Sequence, residues 1–205
     1  LQRAARLSEN AIYQALSRSL LRLDCIGAIW LLSEPYGSML LRDFIVPEFF
    51  SAGSVSQFQQ AAENRVLRWD RDQQYSLAIT TGKPVFLSNG LEQLRALLPG
   101  DRKPASETVI ELIAGQPAML LPVLRSGEKF AILALSAEHL RLETAPLWQT
   151  IADQFGEALE TARLFEQAHN AASPPGLVDG KQPVYSMPQD SSVQLSYPLN
   201  DVQRE

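Results

Sequence analysis

Near the start of the chain Leu7, Ile12, Leu16, Leu20 and Leu23 recur mostly four residues apart, with Glu9, Gln14 and Arg18 between them. That spacing predicts an amphipathic helix over 7–23, with Ser8 placed to cap it. The period then changes. Cys25 to Leu32 is an unbroken apolar run, the pattern of a central strand covered on both faces. Ser33 to Gly37 holds the Pro and Gly of a turn, and Met39 to Val46 reads as the second strand of a hairpin that Pro47 ends. Arg42 and Asp43 within that strand place it nearer a sheet edge.

The pattern over 48–116 is less regular. Phe58 to Leu67 reads as a short helix. Asp70 to Thr81 reads as a better one, closed by Gly82 where helices often stop. Pro84 to Leu87 reads as a short strand and Leu91 to Leu98 as a helical turn or two broken by Pro99-Gly100. Thr108 to Ala114 fits either helix or strand. Two clear strands follow, Ala118–Leu124 and Lys129–Ser136, joined by the four residues Arg125 to Glu128.

A long helix is predicted from about Ala145 to Ala171, with Thr144 as cap and Pro146 tolerated in the first turn. Its apolar stripe is read as Leu147, Ile151, Phe155, Ala158, Ala162, Phe165 and His169. At 1.5 Å per residue that helix runs on the order of 40 Å, longer than one small sheet needs for cover. After Ser173-Pro174-Pro175-Gly176 the composition becomes that of a linker, although Val193, Leu195, Tyr197 and Leu199 alternate with polar or Pro positions as in a strand. The expected organisation is the end of an upstream linker over 1–6, one domain over 7–171, and a Pro- and Ser-rich linker over 172–205 that reaches the start of a following module. Residues 173–192 are expected to pack little against the domain.

Composition narrows the function classes. Of 205 residues, 45% are hydrophobic and 20% charged, ordinary for a globular domain. A net charge of −5 argues against a nucleic-acid surface and against an anionic membrane as partner. A single cysteine, Cys25, allows no internal disulfide and fits a reducing cytoplasm, the expected location. No apolar run reaches the roughly 18–20 residues of a membrane span. The chain begins Leu-Gln-Arg, and a piece of a larger protein is expected.

Three stretches, in order, resemble the GAF family. Ala78 to Val85 (AITTGKPV) is similar to the family's approach to its middle strand. Met119 to Val123, then Ser126-Gly127 and Phe130 to Leu135, resemble its hairpin. Ile151 to Phe155 and Ala158 to Leu164 resemble its closing helix. Ala131 stands where the family often has Gly, a mild departure. The resemblance implies an α+β fold over about 7–170: an antiparallel sheet of five to six strands, N- and C-terminal helices on one face, and a small helical insert over the other, where a ligand pocket lies. Strand 25–32 should be central.

Candidate chemistry is sparse. Zinc needs about four ligands, and Cys25, His139 and His169 are far apart in sequence, so no metal is expected. Both histidines read as surface residues and Cys25 as a buried apolar residue. Haem- and bilin-binding relatives exist in the family, but no suitable axial or adduct residue is found, and no cofactor is expected. The cyclic-nucleotide signature, phosphate-cradling glycine loops and the G-x-S-x-G motif are all missing. Asp70 and Asp72 beside Arg68 and Arg71 read as a solvated, charge-balanced surface.

An aromatic set remains around the insert. Trp30, Phe58, Trp69 and Tyr75, with Ser88 and Asn89 as polar groups, are the candidate ligand-binding residues. Phe44, Phe86, Asn64 and Arg65 lie in the same stretch. Ordinary core packing is the more economical account of these residues. Ile12, Leu16, Leu20, Ile151, Phe155, Ala158 and Ala162 are the candidate dimer interface.

The resemblance thus implies a regulatory input and dimerisation module, not an enzyme, in a signalling protein of the histidine-kinase or cyclic-di-nucleotide-enzyme type. Its partners would be a second copy through the terminal helices, an output domain in the same parent chain, and a small molecule. A structural spacer with a collapsed pocket is the alternative. Reduction of methionine sulfoxide, found in some GAF-like domains, needs reactive cysteines and is disfavoured by the single early Cys25.

Overall fold

The computed structural model describes residues 8–33, 37–46, 67–90 and 115–172. The chain divides between Ala171 and Ala172, and the architecture below is that of the first unit. The expectations for 58–66, 91–98, 108–114 and the tail from 173 lie outside the described residues, as do Leu7, Asn64 and Arg65.

Among the described residues six strands form one antiparallel sheet: β1 (Ile26–Ser33), β2 (Ser38–Ile45), β3 (Leu67–Arg68), β4 (Val85–Leu87), β5 (Ala118–Arg125) and β6 (Glu128–Ser136). Their spatial order is β3-β2-β1-β6-β5-β4, so β1 is central, as its apolar run requires. β3 pairs only with Ser38 and Met39. The remainder of β2 faces no further strand among the described residues, which is where Arg42 and Asp43 sit. The β1–β2 register shifts between Ile29 and Trp30, because Ile29 faces Asp43 and Trp30 faces Leu41. The extra residue, Arg42, bulges. Arg42 and Asp43 then both reach the first helix, Arg42 to Asn10 at 2.6 Å and Asp43 to the Ser17 hydroxyl at 3.2 Å.

Among the described residues three α-helices accompany the sheet: α1 (Glu9–Arg22), α2 (Gln73–Thr81) and α3 (Ala145–Ala172). Ser8 caps α1 by accepting from the Ala11 N–H at 3.3 Å. Asp72 caps α2, accepting from Gln74 and Tyr75 at 2.9 and 3.0 Å, so α2 starts three residues later than Asp70. Asp70 lies instead in a 3₁₀ turn, Trp69–Arg71. Gly82 ends α2 in the left-handed region at φ 64°, its N–H on the Ala78 carbonyl. Thr144 belongs to a 3₁₀ turn ahead of α3 and bonds back to Arg141 rather than capping the helix.

The longer strands alternate between two cores. Ile29, Met119, Leu121, Val123, Ala131, Leu133 and Leu135 face α1 and α3. Ile26, Ala28, Trp30, Met39, Phe44, Val85, Leu87, Leu120, Ile132 and Ala134 face the other way, toward Tyr75, Ala78 and Ile79 of α2. The terminal helices therefore share one side, and α2 covers the opposite one.

Two further sequence expectations are corrected. The β5–β6 loop is two residues, not four: Arg125 and Glu128 pair across the ladder. Ser126 at φ 54° and Gly127 at φ 79° turn the chain. Positive φ at both central positions is what matches the twist of a hairpin. The buried stripe of α3 is also displaced from the expected one. It runs Ala145, Trp148, Ala152, Phe155, Leu159, Ala162. Leu147, Phe165 and His169 are exposed, and Ile151 and Ala158 are half-buried.

The offset has a physical cause. β4 pairs with β5 only as far as Leu120, so among the described residues the far half of β5 is an open edge on that side. α3 runs along this edge. Gln149 Nε2 donates to the Pro122 carbonyl at 2.8 Å. The Leu124 carbonyl abuts Gly156 so closely that a Cβ there would collide with it. Pro122 is tolerated in the strand because it stands where β4 has already ended.

Candidate functional site

The side of the sheet under α2 gathers part of the expected ligand set. Trp30 and Tyr75 belong to one apolar cluster, each 1% exposed, and half-buried Trp69 packs against it. β1 supplies Trp30 and the capped first turn of α2 supplies Tyr75. Trp69 follows β3 in the 3₁₀ turn. Ser88 and Asn89 do not join them: they are exposed beyond the end of β4. Phe58 lies outside the described residues. Phe44 belongs to the same cluster, whereas Phe86 packs on the α1/α3 side.

The Trp30 Nε1–H is buried and meets no acceptor among the described residues. A buried donor without a partner is uncommon and is a natural point for an incoming acceptor. The described side chains of the cluster are otherwise apolar or aromatic, with the Tyr75 hydroxyl as a further polar group. They suit reversible binding.

The other side carries the expected interface residues. Ile12, Leu16, Leu20, Phe155 and Ala162 are buried within the single chain, with Ala162 and Leu20 at 0% and 1% exposure. Tyr13 meets Phe155 edge-on at 5.3 Å between ring centroids. These residues hold α1 and α3 to the sheet and to each other. Ile151 and Ala158 keep part of their surface. Between the two helices lies a groove of about 400 Å³, lined by Ile12, Leu16, Leu23, Ile151, Gln154 and Phe155 among others.

One pairing was not legible in sequence. Cys25 Sγ lies 3.8 Å from His139 Nε2, although 114 positions separate them. His139 in turn tilts over Trp148 at 5.9 Å. The thiol is fully buried and lies 3.5 Å from the Leu23 carbonyl, to which it donates. Burial first, and then the Asp24 carboxylate, push its pKa up to about 12. A nucleophilic or metal-binding cysteine needs the opposite shift.

Two consequences can be measured. A raised pKa means that the folded state holds this proton more tightly than the unfolded chain. The contribution to stability is therefore complete below the unfolded thiol's pKa near 9 and is lost as pH rises toward 12. In native buffer the folded thiol therefore holds much less thiolate than the unfolded one and is also shielded from reagents. Labelling by a disulfide reagent should be strongly slowed in native buffer and become rapid in denaturant. Rapid labelling of the native protein would refute the buried, protonated thiol. Among the described residues no three of His, Cys, Asp and Glu gather at one point.

No family model matches the chain, and no curated protein matches it. Solved structures do. A GAF domain/HD domain protein from Geobacter sulfurreducens superposes with a TM-score of 0.53 at 12% identity, over 78% of this chain and 99% of that one. Residues 122 to 287 of a methyl-accepting chemotaxis protein give 0.52 at 13% identity, over 78% and 93%. The GAF domain of an Acinetobacter phosphoenolpyruvate-protein phosphotransferase gives 0.50 at 14%, over 78% and 87%. At these identities the likeness is one of fold: the chain has the α+β GAF architecture.

Proposed function

We propose that this GAF-fold domain is a regulatory input module and not an enzyme. It takes a small, largely apolar molecule against the Trp30–Tyr75 side of its sheet and passes the change in packing along α3 to an output segment. The observation that carries this reading is the way α3 leaves the body. Ala162 is its last buried residue among those up to His169, yet the helix continues to Ala172. Every residue from Arg163 to His169 is half-exposed or exposed. Leu164 and Phe165 keep 52% and 48% of their surface. A helix that only covered the sheet would gain nothing from apolar residues there. No helix among the described residues is long and apolar enough to cross a membrane.

The partner is a second copy of this chain. Leu147, Ile151, Ala158 and Phe165 sit at heptad-compatible spacing on the flank of α3 that the sheet leaves uncovered, beside the groove against α1. Two such flanks packed in parallel set the exit helices side by side, so that a rotation reaches both output segments together. The chain should sediment as a dimer at micromolar concentration. Ile151→Asp and Phe165→Asp should each yield a monomer with unchanged far-ultraviolet circular dichroism. A monomer at high micromolar concentration in the unsubstituted chain would overturn the dimer.

A further inference from the structure

The tip of the β5–β6 hairpin is tied to both sides of the sheet. On the side of the aromatic cluster, Lys129 Nζ donates to the Thr80 carbonyl at 3.1 Å, in the last turn of α2. A lysine suits that position, because the final carbonyls of a helix lack intrahelical donors. On the other side Arg125 points to the terminal helices. Its Nη1 lies 3.5 Å from Glu9 at the start of α1 and its Nε 3.9 Å from Glu160 of α3. The same guanidinium stacks 4.0 Å above the Phe130 ring. Glu160 is held further by Arg163, at 2.5 Å. Beside these charges the Leu124 carbonyl rests against Gly156. Leu124 faces Lys129 across the ladder and Arg125 faces Glu128, so all these groups move with one short piece of hairpin.

The place of this cluster matters. Glu160 is two residues before Ala162, after which the residues from Arg163 to His169 are half-exposed or exposed. The tip therefore grips the helix at the point of departure. It also grips the end of α2, the helix that carries Tyr75. We propose that the hairpin tip is the mechanical link through which a displacement of α2 reaches the exit helix, with Lys129 as its input contact and Arg125 as its output contact.

This rests on the input-module reading above and names its route. Exposed ion pairs are individually weak. Stiffness in this link comes from the backbone contact at Gly156, and the charges set the orientation of the tip. Coupling of this kind has to be shown by a perturbation at one end read at the other.

Hydrogen exchange on the full 205-residue chain provides that test. Lys129→Met should speed exchange of α3 amides between Glu157 and Phe165 by about three- to fivefold. Arg125→Met should do the same, and the double variant should add little to either. Lys83→Met, an exposed lysine just after α2, should leave α3 unchanged. The link is overturned if Lys129→Met alters only α2 and the tip, if the two substitutions add independently, or if Lys83→Met acts equally. The outcome is separable from that of the parent reading. If α3 is indifferent to Lys129 while Ile151→Asp still dissociates the dimer, the route falls and the module stands. If the unsubstituted chain is monomeric yet coupled, the route stands and the dimeric module falls.

Discussion

Replacing Gly156 by Ala should destabilise the domain by about 2 kcal/mol, opposite in sign to the same change in an exposed helix. In an exposed interior Ala is favoured over Gly by about 1 kcal/mol. At position 156 the added Cβ would collide with the Leu124 carbonyl oxygen and crowd Val123. The obstacle is strand backbone, not the free end of a side chain, so it cannot rotate away. Overpacking of this kind costs typically about 1–3 kcal/mol and sometimes more. The helix would also have to move off the β5 edge, loosening the Gln149 bond to Pro122. For a domain of this size each kcal/mol shifts Tm by roughly 2–4 °C, so a fall of about 4–8 °C is expected. Glu157→Ala, one residue along and exposed, should stay within about 0.5 kcal/mol. Urea unfolding of the two variants decides the matter. A Gly156→Ala protein as stable as the parent would mean that α3 does not approach the strand as described.

Trp30→Ala should cost more, about 3–5 kcal/mol, since the indole is almost wholly buried between strands and α2. Trp30→Phe should cost far less than Ala, about 1 kcal/mol. Phenylalanine retains much of the apolar volume, and the change deletes a buried N–H that has no acceptor among the described residues. Removing an orphaned donor relieves a penalty of about 1–3 kcal/mol, which offsets most of the lost packing. Denaturant midpoints for both variants test this directly. A Phe variant as damaged as the Ala variant would show that the indole nitrogen is already satisfied within the protein.

Much of this architecture could be read from the chain. The unbroken apolar run after Cys25 marked a strand covered on both faces, and β1 lies between β2 and β6. Ser8 and Gly82 marked helix ends by side-chain and backbone chemistry that is local, and so is visible locally. Tertiary features were harder. The exit helix has apolar residues on more than one flank: Trp148 and Leu159 lie on the buried side with Ala145 and Ala152, while Leu147 and Phe165 lie outside it, and the pattern alone does not choose between them. Small residues mark close approach, which a hydrophobic pattern does not record. The hairpin loop looked longer than it is because Arg125 and Glu128 are charged, yet they pair across the ladder. Of the candidate ligand residues, Trp30 and Tyr75, singled out for their size, share one apolar cluster. Ser88 and Asn89 fell outside it because polar residues directly after a short strand lead the chain back to solvent.

The contact between α3 and the open flank of β5 also bears on solubility. Leu120 to Leu124 is an apolar segment with high β tendency, and an uncovered strand of that kind is a template for aggregation. Gln149 on the Pro122 carbonyl and Gly156 against the Leu124 carbonyl make α3 the guard of that edge. Pro122 guards it a second time, since it offers no N–H to an incoming strand. A helix with this duty can twist or slide while keeping both carbonyls covered, but lifting away would unmask a sticky border. Truncations that end before Gln149 are thus expected to yield insoluble protein, and those that end after Arg163 to remain dispersed.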